Sequence, residues 1–206
     1  MKGLILKDLY MMRHYCKSYL LIAAVFFAVS LFGGNMFFAF YPCLLCGMIP
    51  MNLLSYDERS KFLQYCDTLP VTRAQVVSAK YLLGLFVQTA VLILTGAVMG
   101  IKMHIDGNFV FGEFAVLMLA MLIVSALASA IPIPFVFKYG VEKGRIAYYV
   151  MIGLVCALGV LFSEFFKTDL TTIASGAAFA FAAVIGVGVY FLSWYLSTVF
   201  YKKREM

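Results

Sequence analysis

Charge is what this sequence has least of. Only 13% of its 206 residues are Asp, Glu, Lys or Arg, 64% are hydrophobic, and the mean hydropathy is +0.97. Soluble domains run at about 25% charged and about 45–50% apolar, so too little polar surface remains to cover a water-soluble globule of this size. That excludes a soluble enzyme, a disordered chain and a nucleic-acid-binding domain. Histidine is nearly missing: His14 and His104 lie far apart, no H-E-x-x-H occurs, and no metal cluster is expected. No G-x-x-x-x-G-K-[ST] loop is present either. The stretch GVEKGR at 140–145 has neither that spacing nor its Ser/Thr, so the chain lacks that means of holding ATP. No G-x-S-x-G marks a serine nucleophile.

Five cysteines (Cys16, Cys43, Cys46, Cys66, Cys156) are odd in number and sit within or beside apolar runs, which argues for packing rather than a disulfide framework. A cleavable signal peptide is not expected: Lys2, Lys7, Asp8, Arg13 and Lys17 crowd the start, and no small-residue cleavage site follows at the right distance.

What is there is a set of long uncharged runs. A bilayer core of about 30 Å takes about 20 helical residues. Runs at 81–101, 114–137, 146–163 and 170–201 fit one span each, and the run at 18–56 divides at Gly33-Gly34-Asn35 into 18–32 and 36–54. Six spans put both termini on one side. On that count fourteen Lys/Arg face the side of the termini and two, Lys102 and Lys167, face the other. The positive-inside rule makes the basic side cytoplasmic. The net charge of +6 and pI near 9.0 follow from topology, with no nucleic acid needed. No ionisable residue lies well inside a span, which argues against a proton-coupled pump or a charge-lined channel. The expectation is an all-α plasma-membrane protein of one domain, 1–206, with both termini cytoplasmic.

Three connections carry local grammar. Residues 1–17 place Lys2, Lys7, Tyr10, Arg13, His14 and Lys17 on one helical arc and Ile5, Leu9, Met12 and Cys16 on the other, with Asp8 the exception on the apolar side. A basic amphipathic helix of this kind lies in the membrane interface. In 55–72, Ser55 and Glu58 have capping-box spacing, with Asp57 and Glu58 in the first turn where the helix dipole favours anions. Phe62, Tyr65, Cys66 and Leu69 form one stripe, Pro70 ends it, and Thr72 with Gln75 starts the next helix. This predicts a short amphipathic helix between spans two and three, resting on lipid or docking a partner through Asp57, Glu58, Arg59 and Lys61. In the third connection, Pro132 and Pro134 predict a kinked or frayed helix end, and Gly140 and Gly144 allow a tight loop. The three residues Pro132, Pro134 and Gly140 are the candidate hinge.

Other features are weaker. Cys43-Leu-Leu-Cys46 has redox spacing but falls within a span, where only a lipid-soluble partner such as a quinone could reach it. Small residues from Ala174 to Ala178 and at Gly186 and Gly188 predict close helix packing, within the chain or across a dimer. Phe165 and Phe166 read as outer interfacial anchors, Trp194 and Tyr195 as an inner belt.

Three stretches, MKGLILKDLYMMRHYCKSYLL, DERSKFLQYCDTLPVTRAQVVSAKYL and IPIPFVFKYGVEKGR, carry a likeness over essentially the whole chain. Together they resemble the short type-2 permeases of bacterial ABC exporters, such as the phenol-soluble-modulin and other peptide exporters. The resemblance implies a half-transporter: two six-span copies, as a homodimer or a related heterodimer, each docked on a separate cytoplasmic ATPase that binds the ATP and Mg. The chain itself would hold no cofactor and catalyse nothing. Residues 1–17 would be the elbow helix. The coupling helix would meet the ATPase through Asp57, Glu58, Arg59, Lys61, Phe62, Tyr65, Cys66, Leu69 and Pro70. The cargo implied is an amphipathic peptide or hydrophobic antimicrobial. Two readings compete: an immunity protein that sequesters a peptide in the membrane, and a quinone-linked thiol enzyme using Cys43 and Cys46.

Overall fold

The computed structural model describes residues 2–32, 40–66, 68–107, 110–165 and 176–203, and every element among them is an α-helix. The turn signal Gly33-Gly34-Asn35, Asp67 and residues 166–175 lie outside the described residues.

Helices α1 (Lys2–Tyr15) and α2 (Lys17–Phe32) meet at Cys16 and are bent by 66°. Buried Cys16 forms the inner corner of the bend, and burial pushes its thiol above the ordinary range, away from the reactive thiolate. Helix α3 (Phe40–Gly47) gives way at Met48 to α4 (Ile49–Arg59), whose Pro50 sits in the first turn where its missing N–H costs no helical bond. Residues 49–55 of α4 are all buried, because other helices surround it.

A short helix α5 (Phe62–Cys66) and a turn lead into the 33-residue α6 (Arg73–Ile105). Its start has the reciprocal cap read from the sequence: Gln75 N–H donates to Thr72 Oγ1 at 3.3 Å, and Thr72 N–H donates to Gln75 Oε1 at 3.1 Å. At about 1.5 Å per residue α6 is close to 50 Å long, so its ends project beyond a hydrocarbon core of about 30 Å. Helix α7 (Phe111–Ala130) breaks at Ile131 before the two prolines, α8 (Pro132–Tyr139) follows, and Gly140 turns the chain at φ +88° into α9 (Val141–Phe165). Only glycine takes that φ without strain. Helix α10 (Gly176–Lys203) packs along α6, α7 and α8.

Three described helical segments are long and apolar enough to cross a membrane, Arg73–Ile105, Phe114–Tyr139 and Val184–Lys203, and there are four if the bent pair α1–α2 is one span. Large apolar side chains such as Phe86, Ile93, Leu94 and Leu192 point outward, as a lipid-facing surface requires.

The core has two parts. One gathers Met51, Leu54, Tyr81, Tyr148 and Tyr201 among α4, α6, α8, α9 and α10. The other gathers Cys43, Cys46, Ile49, Leu83, Val87 and Met121 among α3, α4, α6 and α7. Gly47 sets the α3–α7 spacing: a Cβ there would come within 2.6 Å of the Ala128 Cβ, too close for real atoms.

Candidate functional site

The segment singled out in the sequence begins differently from expectation. Ser55, Asp57 and Glu58 do not cap a new helix. They lie in the last turns of α4, which runs unbroken to Arg59 and stops where Lys61 takes a left-handed φ of 54°. The i, i+3 spacing of a capping box also occurs inside helices, and here each side chain has a different partner. Ser55 Oγ accepts from Arg145 Nη2 at 3.3 Å. Glu58 Oε2 accepts the backbone N–H of Val141 at 3.1 Å, which places a carboxylate at the N-terminus of α9 where the helix dipole favours it.

Asp57 belongs to a buried ionic cluster that joins α1, α4 and α6. Lys80 Nζ lies 2.6 Å from Asp8 Oδ1 and 2.6 Å from Asp57 Oδ2. Its contact with Asp8 is a hydrogen bond; that with Asp57 is a charge contact off hydrogen-bond alignment. Lys7 Nζ closes the ring, 2.7 Å from Asp57 Oδ1 and 3.2 Å from Asp8 Oδ1. Two cations and two carboxylates sum to zero. Lys80, Asp8 and Asp57 are each only 1% exposed. A buried charge holds its place only when paired and hydrogen-bonded, and this arrangement does that for all four. It also explains why Asp8 stands on the apolar arc of α1: that arc faces Lys80.

The cluster anchors α5. The Lys7 ammonium sits 3.5 Å from the centroid of the Phe62 ring, a cation–π contact. Phe62 and Leu69 are half-buried, Cys66 is buried, and Arg59, Lys61, Gln64, Tyr65 and Pro70 are exposed. Of the nine residues assigned to a partner interface, Asp57 and Cys66 are buried within this chain. Tyr65, expected on the apolar stripe, instead points out at 59% exposure.

Next to Lys80, Tyr81 enters a separate, uncharged seam. Its hydroxyl lies 2.7 Å from both Ser193 Oγ and Ser197 Oγ of α10. Tyr190 donates to the Tyr81 carbonyl at 2.8 Å, and Trp194 Nε1 donates to Ser78 Oγ at 3.2 Å while stacking on the Tyr81 ring. Trp194 is thus tied inward, and Tyr195 alone of that pair faces out. Further along α6, Gln88 donates to the Ser125 carbonyl and accepts from Ser129 of α7 at 3.3 Å. Sequence reading missed this seam, although Gln88 inside an apolar span was its visible sign.

The remaining candidates resolve simply. Pro132 and Pro134 sit in the first turn of α8, just past the break at Ile131, and Gly140 is the next joint. Cys43 and Cys46 are buried free thiols, with Cys43 Sγ 3.8 Å from Thr95 Oγ1. Among the described residues no group of His, Cys, Asp and Glu is arranged to hold a metal. An apolar groove of about 770 Å³ runs between α7, α8 and α9, lined by Leu127, Phe135, Ile146, Val150 and Leu154, with Tyr139 and Lys143 also on its wall.

No curated protein and no solved structure matches the chain. The family model described as ABC-2 family transporter protein covers residues 3–202. An all-helical chain with several apolar spans, matched by that model over nearly its full length, belongs to the ABC-2 family of transporter membrane proteins.

Proposed function

We propose that this chain is the permease subunit of an ATP-driven exporter, crossing the plasma membrane six times and coupled to a separate cytoplasmic ATPase. On this reading α1 lies in the interface, and the crossings are α2, α3 with α4, α6, α7 with α8, α9 and α10. Both termini then face the cytoplasm, in keeping with the fourteen-to-two division of Lys and Arg. Two copies form the pathway, as like or related halves.

The observation that carries the proposal is the clamp at the head of α6. The Lys7–Asp8–Asp57–Lys80 cluster ties the end of α4 to α1 and α6, Lys7 holds Phe62 of α5, and Lys61, Gln64, Tyr65 and Pro70 face solvent, with Arg59 at their edge. An exposed patch on a rigidly held short helix suits a docking element, since ordering it on binding costs little further entropy. The groove between α7, α8 and α9 supports an amphipathic cargo, because its wall is apolar and includes a lysine. The chain needs no cofactor of its own; ATP and Mg belong to the partner.

Gentle extraction of the tagged chain from native membranes, followed by mass spectrometry, tests the partner. A stoichiometric soluble ATPase is the expected result. Recovery of the bare chain, under conditions that keep a known ABC complex intact, sinks the proposal and favours a peptide-sequestering protein. In reconstituted vesicles, Lys61→Glu with Tyr65→Ala is expected to uncouple ATP hydrolysis from peptide export while the subunit stays folded.

A further inference from the structure

A second polar site lies beside the cluster. A cavity of about 120 Å³ opens between the α1–α2 corner, the end of α4 and the start of α9. One water takes roughly 30 Å³, so a small oxyanion fits. Arg59 and Arg145 line it from two helices, with Asn52, Ser55, Tyr15, Tyr19 and Tyr56 completing the wall. The Asn52 side chain is 7% exposed, and its Nδ2 has no hydrogen-bond partner. The Tyr15 and Tyr56 rings stack 4.4 Å apart and fix that side of the wall. Among the described residues neither guanidinium is ion-paired, and no carboxylate lines the cavity. Arg145 has the neutral Ser55 hydroxyl as its acceptor at 3.3 Å, so two like charges and an orphaned N–H surround one space with no counter-charge.

We propose that this cavity binds a phosphate group, and specifically the headgroup phosphate of an anionic phospholipid. Guanidinium forks match phosphate oxygens bidentately, and Asn52 Nδ2 supplies a further donor. Exposed apolar side chains that follow the lining residues Tyr19 and Arg145 along the chain, Leu20 and Leu21 on α2 and Ile146 on α9, give acyl chains a surface to lie along. Free phosphate could use the cavity but not those flanks. On the topology proposed above that lipid belongs to the cytoplasmic leaflet; the ligand chemistry does not rest on that reading.

The test uses the purified full chain in neutral detergent and native mass spectrometry. The probes are dioleoyl phosphatidylglycerol, dioleoylglycerol with the same tails and no phosphate, and inorganic phosphate. Selective retention of phosphatidylglycerol is expected. Arg145→Ala and Asn52→Leu should each weaken it by about tenfold or more, the scale of a lost charge-assisted hydrogen bond. Arg145→Lys, which keeps the charge and the fold but not the fork, should fall between. Lys202→Ala with Lys203→Ala, at the far end of α10, should leave retention unchanged. Equal retention of dioleoylglycerol, displacement by inorganic phosphate alone, or indifference to Arg145→Lys and Asn52→Leu would each overturn the proposal. The readout needs no ATPase, so its failure is separable from failure of the permease reading.

Discussion

Lys80 and Tyr81 are neighbours on one helix, yet they hold two different kinds of junction. Lys80 points toward α1 and α4 into a ring of four charges; Tyr81 points toward α10 into a seam of hydroxyls and an indole. The charged junction is all-or-none. Its four members cancel, and removing one leaves a carboxylate or ammonium buried without compensation. The hydroxyl seam is graded, because each lost bond strands a neutral group that finds another partner at modest cost. A membrane protein can thus tie helices rigidly where the chain leaves the hydrocarbon and more softly within it.

The largest expected effect comes from breaking the ring. Lys80→Met leaves Asp8 and Asp57 sharing Lys7 alone, and a loss of about 3–5 kcal/mol is expected. It would be read as lower thermal stability of the detergent-solubilised chain. Combining Asp8→Asn with Lys80→Met restores a one-to-one balance between Lys7 and Asp57, and about 2 kcal/mol of that loss should return. If the double variant is no better than the single one, charge balance is not what the ring supplies. On the softer side, Tyr81→Phe should cost about 0.6–1.7 kcal/mol while leaving ring-dependent stability intact. A double cycle with Lys80→Met near additivity would show the two junctions to be independent. Smallest of all, Glu58→Gln removes the charge at the start of α9 but keeps an acceptor there, for about 0.3–1 kcal/mol. A salt titration should shrink that difference, since Glu58 is only half-buried.

Much of this was legible in the sequence, at the level where local rules apply. The Thr72–Gln75 cap, the break before Pro132 and the turn at Gly140 follow from backbone chemistry within a few residues. The start of α5 was misjudged because the apolar run ends at Leu54 while the helix goes on to Arg59. Hydropathy marks where lipid ends, whereas a helix stops where its backbone bonds do. The ring was not legible as a ring: its members lie 50 and 72 positions apart, and no periodicity links them. Its trace was Asp8, a lone carboxylate on an otherwise apolar arc. The inward turn of Asp57 and Cys66 was hidden for the same reason, since burial depends on what packs from elsewhere.

The ring has a kinematic consequence. Because Lys7 and Lys80 each touch both carboxylates, α1, the end of α4 and the head of α6 cannot slide past one another without separating buried charges. They form one stiff block with α5 fastened to it through Phe62. On the permease reading proposed above, a push on α5 would be delivered to three helices at once, over a lever nearly the length of α6. On the same reading the candidate hinge Pro132, Pro134 and Gly140, set at the two ends of α8 outside that block, is where the stroke would be absorbed.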